Sequence, residues 1–353
     1  MKPWPFITRA AAFGFGIVGA LLALELGLRC LPAIDGAFAA DPRPSWPVHT
    51  LIPDSTYTHS SGWNFQNRHS GRINNYGYVS PFDYRPGSGG VAVFGDSYIE
   101  GLMNDYPDTL QGVLGELLHE PHKVMNFGMS GADLPHYLGS ASLVAREFKP
   151  DWAVFLITQG DFTGGFSAEP GYYLWNRKAD PPIRLRPELN RSGVMKFLRS
   201  LALVRYLRGN LSMQPSRMLQ WRRGVDKTPA CKSAPPPSPQ DVALMTAFLD
   251  ELPRQLSLSP ARIILVFDAD RKAIYAGKSE AEALRCASPA LLANVRLAHA
   301  AKERGMHVID AYPVFRDYYT KTGRPLDRSP LDAHWNPAAH RLIAREVARI
   351  IEP

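Results

Sequence analysis

Apolar positions fall into one long run and a series of short ones. The long run covers 10–24 (AAAFGFGIVGALLAL), carries no charge, and reaches Leu28 if Glu25 is tolerated. That is about the length needed to cross a bilayer's hydrocarbon. Residues 31–90 follow, rich in Pro, Gly, Ser, Asn and Tyr and without periodicity, and read as an irregular lead-in. An alternation comes next. Short apolar strands are predicted at 91–94 (VAVF), 123–126, 152–158 (WAVFLIT), 263–267 (IILVF) and 306–309. Helices are predicted at 107–119, 136–148, 288–304 and 337–351. Strand–helix alternation of this kind predicts a parallel sheet covered on both faces.

The stretch 163–258 interrupts that alternation. It holds a helical run at 193–209, a Pro-rich loop at 234–239 and a helix at 239–256. It reads as an insertion between the third and fourth strands, so that 91–353 form one α/β domain behind an anchor (1–30) and the lead-in. Val194, Phe197, Leu198, Leu201 and Val204 recur at helical spacing. Packing on the core is the simplest reading of that stripe; a basic amphipathic helix lying on anionic lipid or glycan is the other.

Charge sharpens the picture. The 353-residue chain is +7, with 45% hydrophobic and 21% charged residues, an ordinary globular balance. Eleven Lys and Arg lie between Arg184 and Lys227 against two acids, Glu188 and Asp226, so this segment holds the basic excess. Lys2 and Arg9 precede the apolar run, which keeps the N-terminus cytoplasmic and sends the rest across a bacterial inner membrane into the periplasm. A cleaved signal peptide is the rival, but the A-x-A site Ala37-Phe38-Ala39 lies far beyond the run. Arg29 before Cys30 does not suit a lipoprotein site. Nucleic acid is excluded as a partner by the compartment. Cys231 and Cys286 would face an oxidising environment and could bridge. Glu25 and Arg29, four apart on one helix face, are expected to pair, with contact to a membrane partner as the alternative for Glu25. His119 and His122 read as solvated, and His340 as a capping or surface histidine.

Four polar or Gly-rich junctions carry the chemistry. Gly95-Asp96-Ser97 follows the first strand, where a serine is presented at the sheet's C-terminal edge. Asp332-Ala333-His334 precedes the last helix; a neutral imidazole is the usual base for a serine, and a carboxylate fixes its tautomer. Asn126 to Asp133 (NFGMSGAD) follows the second strand, with glycines that let backbone N–H groups approach an oxygen. Gln159-Gly160-Asp161-Phe162 follows the third. Asn336 is placed to cap the last helix, which Pro337 begins.

Taken in order, these motifs resemble the SGNH (GDSL-like) hydrolase superfamily over about 70–162 and 260–350. The resemblance implies a flavodoxin-like α/β/α sandwich with a central parallel sheet of about five strands, here behind one N-terminal transmembrane helix. It makes Ser97 the nucleophile, His334 the base and Asp332 its orienting acid. The N–H groups of Ser97 and Gly131 would form the oxyanion hole. Gly160 stands where the family places an asparagine donor, and Gln159 could supply an amide instead. Asp96, Asp161, Asp268 and Trp335 are the candidate lining of a substrate groove; Asp268, with Asp270 and Arg271 after the fourth strand (FDADR), reads equally as a solvated turn, and Trp335 reads first as a core aromatic and second as a sugar-stacking platform. No cofactor or metal is implied. The Asp-x-His-Trp-Asn form behind an anchor is more like the alginate-acetylation branch than secreted lipases. It points to an esterase or O-acyltransferase on acetylated envelope polysaccharide, alongside a membrane-bound acyltransferase or polysaccharide synthase. A non-catalytic scaffold of an envelope complex and a lipid-directed lipase or thioesterase are the alternatives.

Overall fold

Five apolar runs become five parallel strands: β1 (Val91–Gly95), β2 (Val124–Gly128), β3 (Trp152–Ile157), β4 (Ile263–Phe267) and β5 (His307–Asp310). They pair in the order β2-β1-β3-β4-β5. That is the flavodoxin-like order, with its switch point at β1 and β3. The computed structural model describes residues 4–41, 43–167, 170–187, 192–211, 213, 234–285, 287–328 and 332–352.

Every residue of β1 to β4 is buried. Alternate side chains enter opposite layers, as the period of a strand requires. Val91, Val93, Val154, Leu156, Ile264 and Val266 join the core shared with the last helix, Pro337–Ile351. On the other face Phe94 and Phe155 stack with centroids 4.6 Å apart. That layer is roofed by the helices Leu134–Phe148 and Pro239–Leu256, which pack on each other. The predicted strands and long helices are present within a few residues of their expected ends. The C-terminal tips of all five strands, with residues 95–97, 128–131, 158–160, 268–270 and 310, lie along one edge.

Two glycines let the chain turn tightly there. A Cβ on Gly95 would lie 2.4 Å from Ile99 Cγ1, and one on Gly128 would lie 2.3 Å from the backbone nitrogen of Glu100. The helix Ser97–Glu100 therefore sits hard against the ends of β1 and β2.

The chain divides into two compact units: 1–37, 57–70 and 190–226 form the smaller, and the remainder the larger. This differs from the expected anchor, lead-in and insertion, because parts of the last two group with the anchor. Asn210 shows why. Its side chain accepts from Ile34 N at 3.0 Å and donates to Ser60 Oγ at 2.7 Å, tying three distant segments together. The lead-in is also less irregular than expected, since Ser55–Ser61 pairs with Gln66–Ile73.

The smaller unit holds the long apolar helix, Trp4–Arg29, whose side chains are exposed from Thr8 to Leu24. Arg29 Nε meets Glu25 Oε1 at 2.8 Å, the expected pair. The helix expected over 193–209 is broken into Gly193–Ser200, Ala202–Arg205 and a π-turn at Tyr206–Asn210. The cause is long-range. Ala202 N and Leu203 N donate to the two oxygens of Glu25 at 3.0 and 2.9 Å, so a new helix starts there with its own anionic cap. Cys231 and Cys286 lie outside the described residues.

Candidate active site

Ser97 opens the helix that follows β1, and its hydroxyl lies 2.7 Å from His334 Nε2. The other ring nitrogen, Nδ1, makes a short hydrogen bond to Asp332 Oδ1, which also accepts from the His334 backbone N–H at 3.0 Å. With Nδ1–H donated to the carboxylate, Nε2 is free to accept the serine proton. That is the tautomer a nucleophile–base pair needs. His334 and Asp332 keep 27% and 14% of their side-chain surface, enough to open the imidazole to a substrate.

The strand that carries them, Asp332–Trp335, pairs antiparallel with Asp327–Arg328. A buried arginine fixes its middle. Arg271 donates to Ala333 O at 2.7 Å and to Tyr98 Oη at 2.8 Å, while Tyr98 donates to the same carbonyl at 3.1 Å. The Tyr98 ring lies against the His334 ring, centroids 4.7 Å apart. Asp268 accepts from Arg271 Nη1 at 2.5 Å and Asp327 from its Nε at 3.2 Å. These two carboxylates hold the guanidinium charged despite its burial.

The donors expected for an oxyanion hole are backbone groups. Ser97 is the first residue of its helix, so its N–H has no intrahelical acceptor. Gly131 is exposed at the tip of the loop after β2, with φ +82°, a conformation that favours glycine. That loop is held at several points. Met129 N donates to Gly95 O at 3.0 Å, Tyr172 Oη donates to Ser130 O at 2.7 Å, and Ser130 Oγ makes a short hydrogen bond to Glu100 Oε2. Burial raises the Glu100 carboxyl above its ordinary value. Gly160 is exposed at the start of the short helix Asp161–Gly164, in right-handed helical conformation, with open space where a Cβ would be. Gln159 beside it is half-buried.

The four candidate groove residues are engaged within the fold. Trp335 is fully buried, the core position, and donates its indole N–H to Asp268 Oδ1 at 2.8 Å. Asp268 is spent on Arg271 and Trp335, which also rules out the solvated turn. Asp96 caps its own helix, accepting from Tyr98 N at 2.9 Å. Asp161 is buried and accepts from Thr158 N and Tyr137 Oη at 3.0 and 2.9 Å. Burial, then the charge of Asp96, pushes its carboxyl well above the usual range. Together these residues frame the turn that carries Ser97. His340 is likewise interior. Leu110 N donates to its Nδ1 at 3.1 Å, and burial drives it down to about 3. Asn336 caps the last helix as expected, accepting from Ala338 N and Ala339 N.

No protein-family model matches the chain, and no curated protein matches it. Its neighbours among solved structures include G-D-S-L family hydrolases and acetylxylan esterases. An alpha/beta hydrolase enzyme from the metagenome of Lake Arreo, Spain, is 14% identical over 76% of this chain and 96% of its own, with a TM-score of 0.39. A lipolytic protein of the G-D-S-L family from Veillonella parvula is 12% identical over 73% and 96%, TM-score 0.34. A catalytic mutant of an acetylxylan esterase from Geobacillus stearothermophilus is 16% identical over 76% and 97%, TM-score 0.41. At such distances the chemistry has to rest on this chain's own side chains.

Three residues around Ser97 carried no legible signal of their own. Tyr98 and Glu100 follow Ser97 within one turn, which hints at a shared helix and nothing more. Ser130 looks like a loop serine. Arg271 was legible only as groove lining or as part of a solvated FDADR turn, since the partners it holds lie far along the chain.

Proposed function

We propose that the protein is a serine-dependent acyl-ester hydrolase or O-acyltransferase working through an acyl-Ser97 intermediate. The observation that carries this reading is the hydrogen-bonded series Ser97 Oγ, His334 Nε2, His334 Nδ1, Asp332 Oδ1. His334 takes the Ser97 proton on Nε2 as Oγ attacks an ester carbonyl carbon. Asp332 holds the imidazolium through Nδ1–H. The carbonyl oxygen becomes an oxyanion facing the N–H groups of Ser97 and Gly131. As the tetrahedral centre collapses, Nε2–H passes its proton to the departing alkoxide, leaving acyl-Ser97. Water, or a sugar hydroxyl, then gives its proton to His334 and takes the acyl group. General base catalysis of this kind is worth about 10²–10⁴ in rate. With glycine at 160, the hole relies on backbone donors.

The substrate we propose is an acetylated polysaccharide of the bacterial envelope. The apolar helix Trp4–Arg29 would anchor the chain in the inner membrane with the α/β unit in the periplasm. A membrane-bound acyltransferase or polysaccharide synthase would be its partner. The anchor is supported by the 22-residue span Thr8–Arg29, which holds an 18-residue window of mean hydropathy 2.0 with nearly all its side chains exposed. The test is turnover of p-nitrophenyl acetate by the full chain in detergent, beside Ser97→Ala. Loss of turnover in the variant supports the reading; equal rates end it.

A further inference from the structure

The helix Gly193–Ser200 has no buried residue, although it is strongly two-sided. Val194, Met195, Phe197 and Leu198 share one face, and Lys196, Arg199 and Ser200 the other. Helices of soluble proteins turn such a stripe toward the core. Here Val194 and Phe197 keep 69% and 62% of their surface exposed.

The position of this helix says what covers it. Just past Ser200 the chain leaves the helix at Leu201, and the next turn is pinned to Glu25 by the N–H groups of Ala202 and Leu203. Glu25 lies one turn before the end of the apolar helix at Arg29. The C-terminal end of the two-sided helix is therefore held beside the last turn of that helix, where hydrocarbon gives way to headgroups. Leu22, Leu24 and Leu26 beside Glu25 are exposed, so the last turns of the apolar helix present apolar surface as well. Trp63, 75% exposed, belongs to the same unit, and Tyr206 Oη donates to its carbonyl at 3.0 Å. Indole rings favour this interfacial depth. Lys196 and Arg199 on the opposite face, within the most basic segment of the chain, suit the anionic headgroups of a leaflet.

We infer that Gly193–Ser200 lies flat in the membrane interface, its apolar face in the acyl boundary, and with Trp63 forms a collar where the anchor leaves the bilayer. The inference rests on the anchor reading, and it commits to lipid as the occupant. Its consequence is that the smaller unit has a second membrane attachment beside the transmembrane helix, of the kind that lies on a bilayer without crossing it.

Single-cysteine variants of the full chain test it. Cys30, Cys231 and Cys286 are replaced by Ser, and Leu22→Cys, Phe197→Cys or Lys196→Cys carries a fluorophore. The protein is reconstituted in phosphatidylcholine–phosphatidylglycerol nanodiscs and quenched by nitroxide lipid or by aqueous iodide. All three positions are exposed or on the lipid-facing helix, so the labels displace no core packing. The expected result is lipid quenching at Leu22 and Phe197, with iodide quenching at Phe197 several-fold weaker than at Lys196. Iodide access at Phe197 equal to that at Lys196, with Leu22 still quenched by lipid, overturns the collar and leaves the anchor standing. Shielding of Phe197 from both quenchers also overturns it, since a protein surface would then be the cover. Loss of lipid quenching at Leu22 overturns anchor and collar together.

Discussion

The Arg271 guanidinium donates to the carbonyl of Ala333 at 2.7 Å, in the middle of the Asp332-Ala333-His334 tripeptide. Its side chain is 8% exposed, and those of Asp268 and Asp327 are 8% and 5%. Removing the arginine takes the ion pair from two buried carboxylates and frees the strand that carries His334. Breaking a buried pair in this way costs about 3–5 kcal/mol. Arg271→Met is expected to lower the denaturation midpoint markedly. Arg271→Lys, which keeps the charge and loses the fork, is expected to keep more stability than activity. Equal losses of both in the lysine variant would contradict a positioning role.

The bond between Ser130 and Glu100 ties the loop of Gly131 to the helix of Ser97. Loosening it should misplace the oxyanion donors without touching ground-state contacts. A displacement of about 1 Å at a reacting centre can cost on the order of 10²-fold. Ser130→Ala is expected to lower kcat by about tenfold or more with KM nearly unchanged, as steady-state kinetics on p-nitrophenyl acetate would read. A rise in KM alone would show that the loop binds substrate and does not shape the hole.

Gly160 offers a gain-of-function test. A Cβ there meets nothing within 4 Å, and the backbone is already right-handed helical. An asparagine fits without strain. Removing a side-chain donor from an oxyanion hole typically costs about 10²–10³ in rate, so supplying one should return part of that. Gly160→Asn is expected to raise kcat by about tenfold or more. No change would mean that the side chain at 160 does not face the developing charge.

His340 makes stability depend on acid. The fold keeps it neutral down to about pH 3, because burial opposes a charge and the neighbouring His334 and Arg328 add to that, while Leu110 N–H points at Nδ1. In the unfolded chain it protonates near the ordinary value of about 6.5. Between those values the unfolded state binds the extra proton, so stability rises with pH and falls on acidification, by about 1.4 kcal/mol per pH unit for this one group. Urea midpoints in mild detergent between about pH 6 and about pH 4 would read the slope. His340→Asn is expected to make that slope shallower by one proton; an unchanged slope would contradict the assignment.

How much of this was legible in the sequence follows from the range of the interactions involved. Strands buried on both faces must be continuous apolar runs, so VAVF and IILVF announced themselves. The order of the junctions placed Ser97 and His334 on one edge, because parallel strands end together. What stayed hidden depends on partners far away. The break at Leu201 is caused by Glu25, and the burial of Asp268 by Arg271 and Trp335. Nothing local distinguishes such residues from a solvated turn or an unbroken helix. The strands at 55–61 and 66–73 were hidden for another reason: they are polar on both faces, and period-2 patterning needs one buried side.

The central claim is that His334 activates Ser97, and fluorophosphonate labelling of the full chain in detergent, read by peptide mass spectrometry, tests it most directly. The account predicts one stoichiometric adduct on Ser97, formed about 10²–10⁴ times more slowly in His334→Ala. An unlabelled Ser97, or equal labelling rates with and without the imidazole, would contradict it.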